Sequence, residues 1–362
     1  MKTTKLATLL AALALSPAFA AETDPVGFVS VTVPAHSDAI LAVPLNRAAE
    51  FKGVIQSISG NVITVAGTPG WTANAFAPGV TANKTYAVQI ASGAKEGLVG
   101  RVTANSNNTL TVTLAASDDL TGIGTVAAPV DPDGAGPLTA QSDQIDVMPY
   151  WTPSALFGTN AAAGSQFLGF QDANAGINVG NSEQYTCTTP GSWEDDINFG
   201  QDATHAVLDF GSGFIIRNNG NTTMSLSFVG SVPMSKHRTR LATKSNNVAQ
   251  DIAIGFMSPV PEKLSTVGDP TVAVPQQTAN FLNFPVAVGD KILGFDNSLP
   301  GINKGNSVQF TWNGTEWEDD INFGQVANYQ TTLQPGFGYI YRRAATGTAN
   351  SLVWNKIPAY LQ

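Results

Sequence analysis

Residues 176–201, GINVGNSEQYTCTTPGSWEDDINFGQ, and residues 301–325, GINKGNSVQFTWNGTEWEDDINFGQ, share 17 identical residues with one single-residue gap. Chance does not produce that, so the chain carries an internal duplication. The likeness runs on both sides. FLGFQDAN at 167–174 answers ILGFDNSL at 292–299, FGSGFIIRNN at 210–219 answers PGFGYIYRRA at 335–344, and SLSFVGSVP at 225–233 answers SLVWNKIPA at 351–359. Each unit therefore covers roughly a hundred residues, the scale of one small domain.

Within a unit the apolar pattern has a period of two. GFIIR at 213–217 and GYIYR at 338–342 place their larger rings on alternate positions, and MSLSFV at 224–229 alternates in the same way, as half-buried strands do. Only PSALF at 153–157 and PEKL at 261–264 are candidates for short helices after residue 20. The reading is all-β: two duplicated β-sandwich-like units, the first interrupted by a small β-barrel or sandwich insertion. VGFVSVTVP at 26–34 resembles FVGSVP at 228–233, which predicts that each unit opens with such a strand and that residues 352–358 are a third copy. The insertion spans 51–144, with a hairpin at 54–65 turning at Gly60 and Asn61, a strand at 86–90, a strand entered at Ser106, and a Gly/Pro/Asp-rich exit at 129–143. The expected division is a signal peptide at 1–20, opening strands at 21–50, the insertion at 51–144, the rest of the first unit at 145–228, and the second unit with a closing strand at 229–362.

DPVGFVSVTVPAHSDAILAVPL, FKGVIQSISGNVITVAGTPGW, DVMPYWTPSALFG and LQPGFGYIYRR together resemble a heavily duplicated, uncharacterised family of exported verrucomicrobial all-β proteins. The resemblance covers nearly the whole chain after residue 20 and implies export and a strand-built scaffold. It carries over no catalytic or binding residue.

The first twenty residues, MKTTKLATLLAALALSPAFA, have two lysines, a short apolar run and a small-x-small ending, the layout of a secretory signal. Export to the periplasm, cell surface or exterior is expected. No later stretch has the ~20 apolar residues of a spanning helix, so no integral membrane segment is expected once the signal is cleaved. Cleavage removes Lys2 and Lys5 from a chain whose formal charge is already −9. So acidic a surface has no electrostatic attraction to phosphate backbones, and nucleic acid is not an expected partner. The single Cys187 closes no internal disulfide.

The chemistry concentrates in the repeated WEDDINFGQ. Trp193, Glu194, Asp195 and Asp196 with Asn198 recur as Trp317, Glu318, Asp319 and Asp320 with Asn322. Oxygen donors clustered in a turn suit Ca²⁺, yet adjacent strand residues point to opposite faces. The plainer reading is a solvated acidic corner before an inward-facing Ile197 and Phe199, present twice because the fold is present twice. A tryptophan beside carboxylates also suits a sugar, the ring for its apolar face and the acids for its hydroxyls. Asp131 and Asp133 open like a calcium loop but lack the later acids and the closing Glu of that motif. His36, His205 and His237 fall in no HExxH motif, and there is no G-x-S-x-G elbow. Cys187 is answered by Trp312, which marks a packing position. The basic run at 236–244 reads as a solvated edge strand, or as a dock for acidic corners of a neighbouring copy. The sequence thus points to an exported, noncatalytic structural, adhesive or cell-envelope protein with no required cofactor. The alternatives are a carbohydrate-binding module using the Trp-acid corners, with Ca²⁺ as a candidate ion, and a polysaccharide hydrolase. Glycans, other surface components and self-association are the expected partners.

Overall fold

A computed structural model describes residues 24–80, 83–116, 118–128, 130, 141–170, 176–243, 247–345 and 347–362. The expected signal peptide and Asp131 and Asp133 lie outside the described residues. The chain opens with β1 (Val26–Val33) and β2 (Ser37–Ala42), then makes six strands: β3 (Phe51–Ser59), β4 (Val62–Val65), β5 (Tyr86–Ile90), β6 (Val99–Asn105), β7 (Thr109–Thr113) and β8 (Gln144–Pro149). A single-turn helix, α1 (Pro153–Phe157), follows, with Thr152 accepting from the backbone N–H of Ala155 as its N-cap. The first unit is completed by β9 (Gln166–Gly169), β10 (Glu183–Thr189), β11 (Ser192–Asp195), β12 (Gln201–Asp202), β13 (Gly213–Asn218) and β14 (Met224–Ser231). The second comprises β15 (His237–Thr243), β16 (Gln250–Gly255), β17 (Glu262–Lys263), β18 (Lys291–Gly294), β19 (Val308–Trp312), β20 (Trp317–Asp319), β21 (Gln325–Val326), β22 (Thr332–Leu333), β23 (Gly338–Arg343) and β24 (Asn350–Lys356).

The fold is all-β, in several sheets and one closed six-stranded barrel. One sheet has the order β12-β11-β10-β9-β13-β2 and another β21-β20-β19-β18-β23-β16; β1 pairs with β14, and β15 with β24. Every pairing is antiparallel, and register follows the sequence likeness: Arg217 lies opposite Asp38 as Arg342 lies opposite Asp251. Alternation sets the inward face. In β1, Val29, Val31 and Val33 are buried, and they lie opposite Phe228, Leu226 and Met224 of β14, buried as well.

The insertion is a barrel, in the order β3-β4-β7-β6-β5-β8, and it runs to Pro149 rather than ending at 144. Its turn at Gly60 has φ 57°, where a residue without Cβ is unstrained. Register shifts between Ile55 and Ser57 and between Val102 and Ala104 supply the local bends that closure of a small barrel uses. Ile55, Ile63, Val102, Leu110, Ile145 and Val147 fill its interior. The barrel packs against β15, where Arg238 Nη2 lies 2.8 Å from Asp118 Oδ1 and Lys236 Nζ 3.1 Å from Glu96 Oε2. The described part of the basic run is therefore a docked strand paired with β24, with His237 and Leu241 buried, and not a solvated edge.

Two other expectations change. Residues 262–263 form a strand and not a helix. Residues 228–231 are the end of β14, which closes the first unit, so the second unit's opening strand is β15 and the boundary expected at 228/229 falls inside β14.

The two large sheets meet through β2 and β13 of the first and β16 and β23 of the second. Leu41 bridges Phe337, Ser212 bridges Ile254, and the Ala42 N–H donates to Gly336 O at 3.0 Å while the Gly255 N–H donates to Gly211 O at 2.8 Å. With β2 against β23 and β13 against β16, the sheets run away from the junction in opposite senses. Their last hairpins, β11-β12 and β20-β21, lie at the two far ends of the strand order.

Candidate functional site

Each WEDDINFGQ segment is the outermost hairpin of its sheet. Trp193 stands opposite Cys187 and Trp317 opposite Trp312, both on the inward face of their strands. Their exposures are 1% and 0%. Trp193 packs on Phe157 with ring centroids 5.0 Å apart, and Trp317 on Trp312 at 5.4 Å. Both rings belong to the cores of their units, and neither is available as a platform for a sugar.

The acids build the turn. Asp195 Oδ1 accepts from the backbone N–H groups of Ile197 and Asn198, each at 2.9 Å, and Oδ2 accepts from Asn198 Nδ2 at 2.8 Å. Asp319 does the same for Ile321 at 3.0 Å, Asn322 at 3.1 Å and Asn322 Nδ2 at 2.7 Å. This is the Asx-type turn that Asp forms with backbone two and three residues on. Partial burial works against ionisation of Asp195, but the bonds from Asn198 and Ile197 prevail and hold its carboxyl below the usual range. Asp196 Oδ2 accepts from Gln184 Nε2 at 2.6 Å and Thr186 Oγ1 at 2.7 Å. Asp320 repeats this with Gln309 and Thr311, and adds Lys291 Nζ at 3.0 Å. Glu194 is exposed, whereas Glu318 accepts from Asn313 Nδ2 at 2.7 Å.

The middle acid, Asp195 or Asp319, thus turns away from the two that flank it, as alternation along a strand requires, and folds back on its own turn. Among the described residues no group of three or more His, Cys, Asp and Glu side chains is placed to hold a metal ion. The histidines are scattered: His36 is bonded to Asn221 at 3.0 Å and His237 is buried beside Trp354. Cys187 is fully buried, and burial pushes its thiol pKa up, the opposite of an activated nucleophile.

The expectation of an inward Ile197 and Phe199 is overturned. Strand β11 ends at Asp195, so the period of two stops before either residue. Phe199 and Phe323 are 98% and 101% exposed, with φ of 57° and 58°, and Ile197 and Ile321 are about half exposed. Gly200 and Gly324 follow at φ 76° and 73°, and their N–H groups close the turns onto Asp195 O and Asp319 O. A left-handed backbone costs a side chain with a Cβ roughly 1–2 kcal/mol. Both tips hold a phenylalanine there, pointing into solvent.

A second matched feature, a clamp between the units, escaped the sequence reading. Arg217 binds Asp38 with Nε and Nη2 at 2.8 and 3.0 Å, and Arg342 binds Asp251 likewise at 2.6 and 2.9 Å. Onto each pair docks the GIN loop of the other unit. The Asn303 N–H donates to Asp38 Oδ2 at 2.9 Å and the Asn178 N–H to Asp251 Oδ2 at 2.8 Å; each Asn Oδ1 accepts from the arginine at 3.0 Å. Both asparagines sit at φ 53°, with glycines at 120° and 132° two residues before them. The signal was present in the identical GIN triplets and in the arginines at matching places in β13 and β23.

Comparison with known proteins adds no relative. No family model, curated protein or solved structure matches the chain. No helix among the described residues is long and apolar enough to cross a membrane.

Proposed function

We propose that this is an exported, noncatalytic structural protein of the cell envelope that associates end to end through its two hairpin tips. The observation that supports the reading is the duplicated, fully exposed phenylalanine in a strained turn at each end of the sheet order. Trp193, Asp195, Asp196, Asn198 and Gly200 each have a task within the fold. The Phe199 and Phe323 side chains are left in solvent and those of Ile197 and Ile321 are half exposed, although all are retained in both units.

The partner of this reading is a second copy. No strand pairs with the outer edge of β12 or β21 among the described residues; each edge strand follows an identical WEDDINFG turn and starts at its glutamine, Gln201 or Gln325, then continues as Asp202 or Val326. Antiparallel pairing of such edges is self-complementary. A chain with one edge closes as a dimer, whereas a chain with an equivalent edge at each end propagates into an open filament. The short edge strands and their acids restrain the contact, so screening by salt promotes it. Burial of Trp193 and Trp317 leaves the glycan reading without the ring it was built on.

Sedimentation velocity of the mature chain across concentration and ionic strength tests this. The expected outcome is a series of oligomers that grows with both. The double variant Phe199→Ser, Phe323→Ser stays monomeric with an unchanged melting curve, and either single variant stops at the dimer. A wild-type chain that is monomeric throughout, or a double variant that assembles as the parent does, overturns the proposal.

A further inference from the structure

The junction between the units holds a cleft of about 170 Å³, open to solvent where Asn178 and Asn303 line its rim. Its apolar walls come in pairs from equivalent positions of the two units: Ile40 with Ala253, Ile215 with Ile340, and Phe170 with Phe295. Protein interiors pack to the density of organic crystals and leave few voids larger than a water molecule. A cleft of this size bounded by matched residues of both units is a feature of their docking and not a defect in one side chain.

The polar groups on its wall are already engaged. Asp38 and Asp251 are held by Arg217 and Arg342 and by the loop N–H groups of Asn303 and Asn178. Asn297 accepts from the Ile40 N–H at 2.9 Å and donates to Ile40 O at 2.8 Å. Lys304 Nζ donates to Asp296 O at 2.8 Å and Leu299 O at 2.7 Å. A charged or strongly hydrogen-bonding ligand would have to displace one of these contacts, at the cost of stranding a partly buried partner. A neutral apolar ligand displaces none of them. In size the cleft matches an apolar cavity of about 150 Å³ lined by aliphatic and aromatic side chains, which accepts benzene.

We infer that this cleft is a binding site for a small, neutral, apolar molecule of about one aromatic ring, whose occupancy braces the two units against each other. The site is independent of the hairpin tips. It uses Ile40 and Ala253 of β2 and β16, Ile215 and Ile340 of β13 and β23, and the phenylalanines that follow β9 and β18.

The test is thermal unfolding of the mature chain titrated with benzene, toluene and, as a polar control of similar size, phenol sulfonate. Ligands that bind only the folded state raise its melting temperature in a saturable way, here by roughly 2–4 °C for the hydrocarbons, with no rise for the sulfonate. Ala253→Leu fills the cleft, so it melts near the parent and loses the hydrocarbon shift. Ile215→Val enlarges the cleft and moves the preference from benzene toward toluene, which keeps the test decisive if the leucine variant does not fold. No shift with either hydrocarbon, an equal shift in Ala253→Leu, or an unchanged preference in Ile215→Val overturns the inference.

Discussion

Replacing each buried tryptophan by phenylalanine separates packing from hydrogen bonding inside each core. Trp317 and Trp354 belong to the core of the second unit, and Trp193 and Trp151 to that of the first; all four are buried. Trp354 Nε1 donates to Leu282 O at 2.7 Å and Trp151 Nε1 to Leu45 O at 2.8 Å. The indole N–H groups of Trp193 and Trp317 are buried with no protein partner. Shrinking an indole to a phenyl ring removes roughly 40 Å³ and a few tens of Å² of apolar surface, which costs about 1–2 kcal/mol. For Trp193 and Trp317 the change also removes an unpartnered buried donor worth about 1–3 kcal/mol of penalty, so the two terms nearly cancel. For Trp354 and Trp151 it strands a carbonyl and adds a similar amount to the loss. The expected order is therefore Trp317→Phe near neutral and Trp354→Phe about 3 kcal/mol destabilising, with the same order for Trp193→Phe against Trp151→Phe. Urea unfolding followed by far-UV circular dichroism reads this as a shift in midpoint at constant slope. Equal losses for Trp317→Phe and Trp354→Phe would refute the reasoning and place a bound water on the Trp317 nitrogen.

The other expectations concern the clamps and the buried histidine. Asp38→Ala strands Arg217, about one-fifth exposed, together with the Asn303 N–H, and should cost about 2 kcal/mol once the partial exposure of the guanidinium is discounted. Asp251→Ala should cost the same to within a few tenths, and a clear inequality in thermal unfolding would show that the clamps are not equivalent. His237 is buried beside Trp354, where lack of water pulls its pKa down from 6.5 to about 4. The unfolded chain binds this proton first as pH falls. The contribution is thus intact above pH 6.5 and is lost between pH 6.5 and 4, by up to roughly 3 kcal/mol. Burial raises Asp143 and Asp146, which acts in the opposite direction on acidification, so the histidine term is read as the difference between wild type and His237→Gln. Parallel pH–stability curves for the two proteins would exclude it.

What the sequence disclosed was local. The hairpin turning at Gly60, the strand at 86–90 and the helix at 153–157 each carry their signal within a few residues: a turn glycine, the alternating Tyr86, Val88 and Ile90, and a capping threonine before proline. The repeat disclosed the equivalence of positions but not their direction. VGFVSVTVP and FVGSVP look alike, yet β1 and β14 lie side by side and share one inward face, Val29 opposite Phe228 and Val31 opposite Leu226. Their likeness is that of pairing partners, and reading it as equivalence put the start of the second unit one strand too early. The hairpin tips misled for a related reason. Alternation predicts burial only while a strand lasts, and Asp195 ends the strand by turning its carboxylate onto the N–H groups two and three residues on. The clamps were hidden because Arg217 and Asp38 stand 179 residues apart and meet only when the sheet forms. Identity between two copies in one chain therefore has to be divided before it is read. Part of it is explained by packing and turn chemistry, as with Trp193, Asp195 and Gly200. The remainder, Phe199 and Phe323 above all, is apolar and exposed, and sits in a backbone conformation that a phenylalanine adopts at a cost. That remainder is what the proposed end-to-end contact would explain.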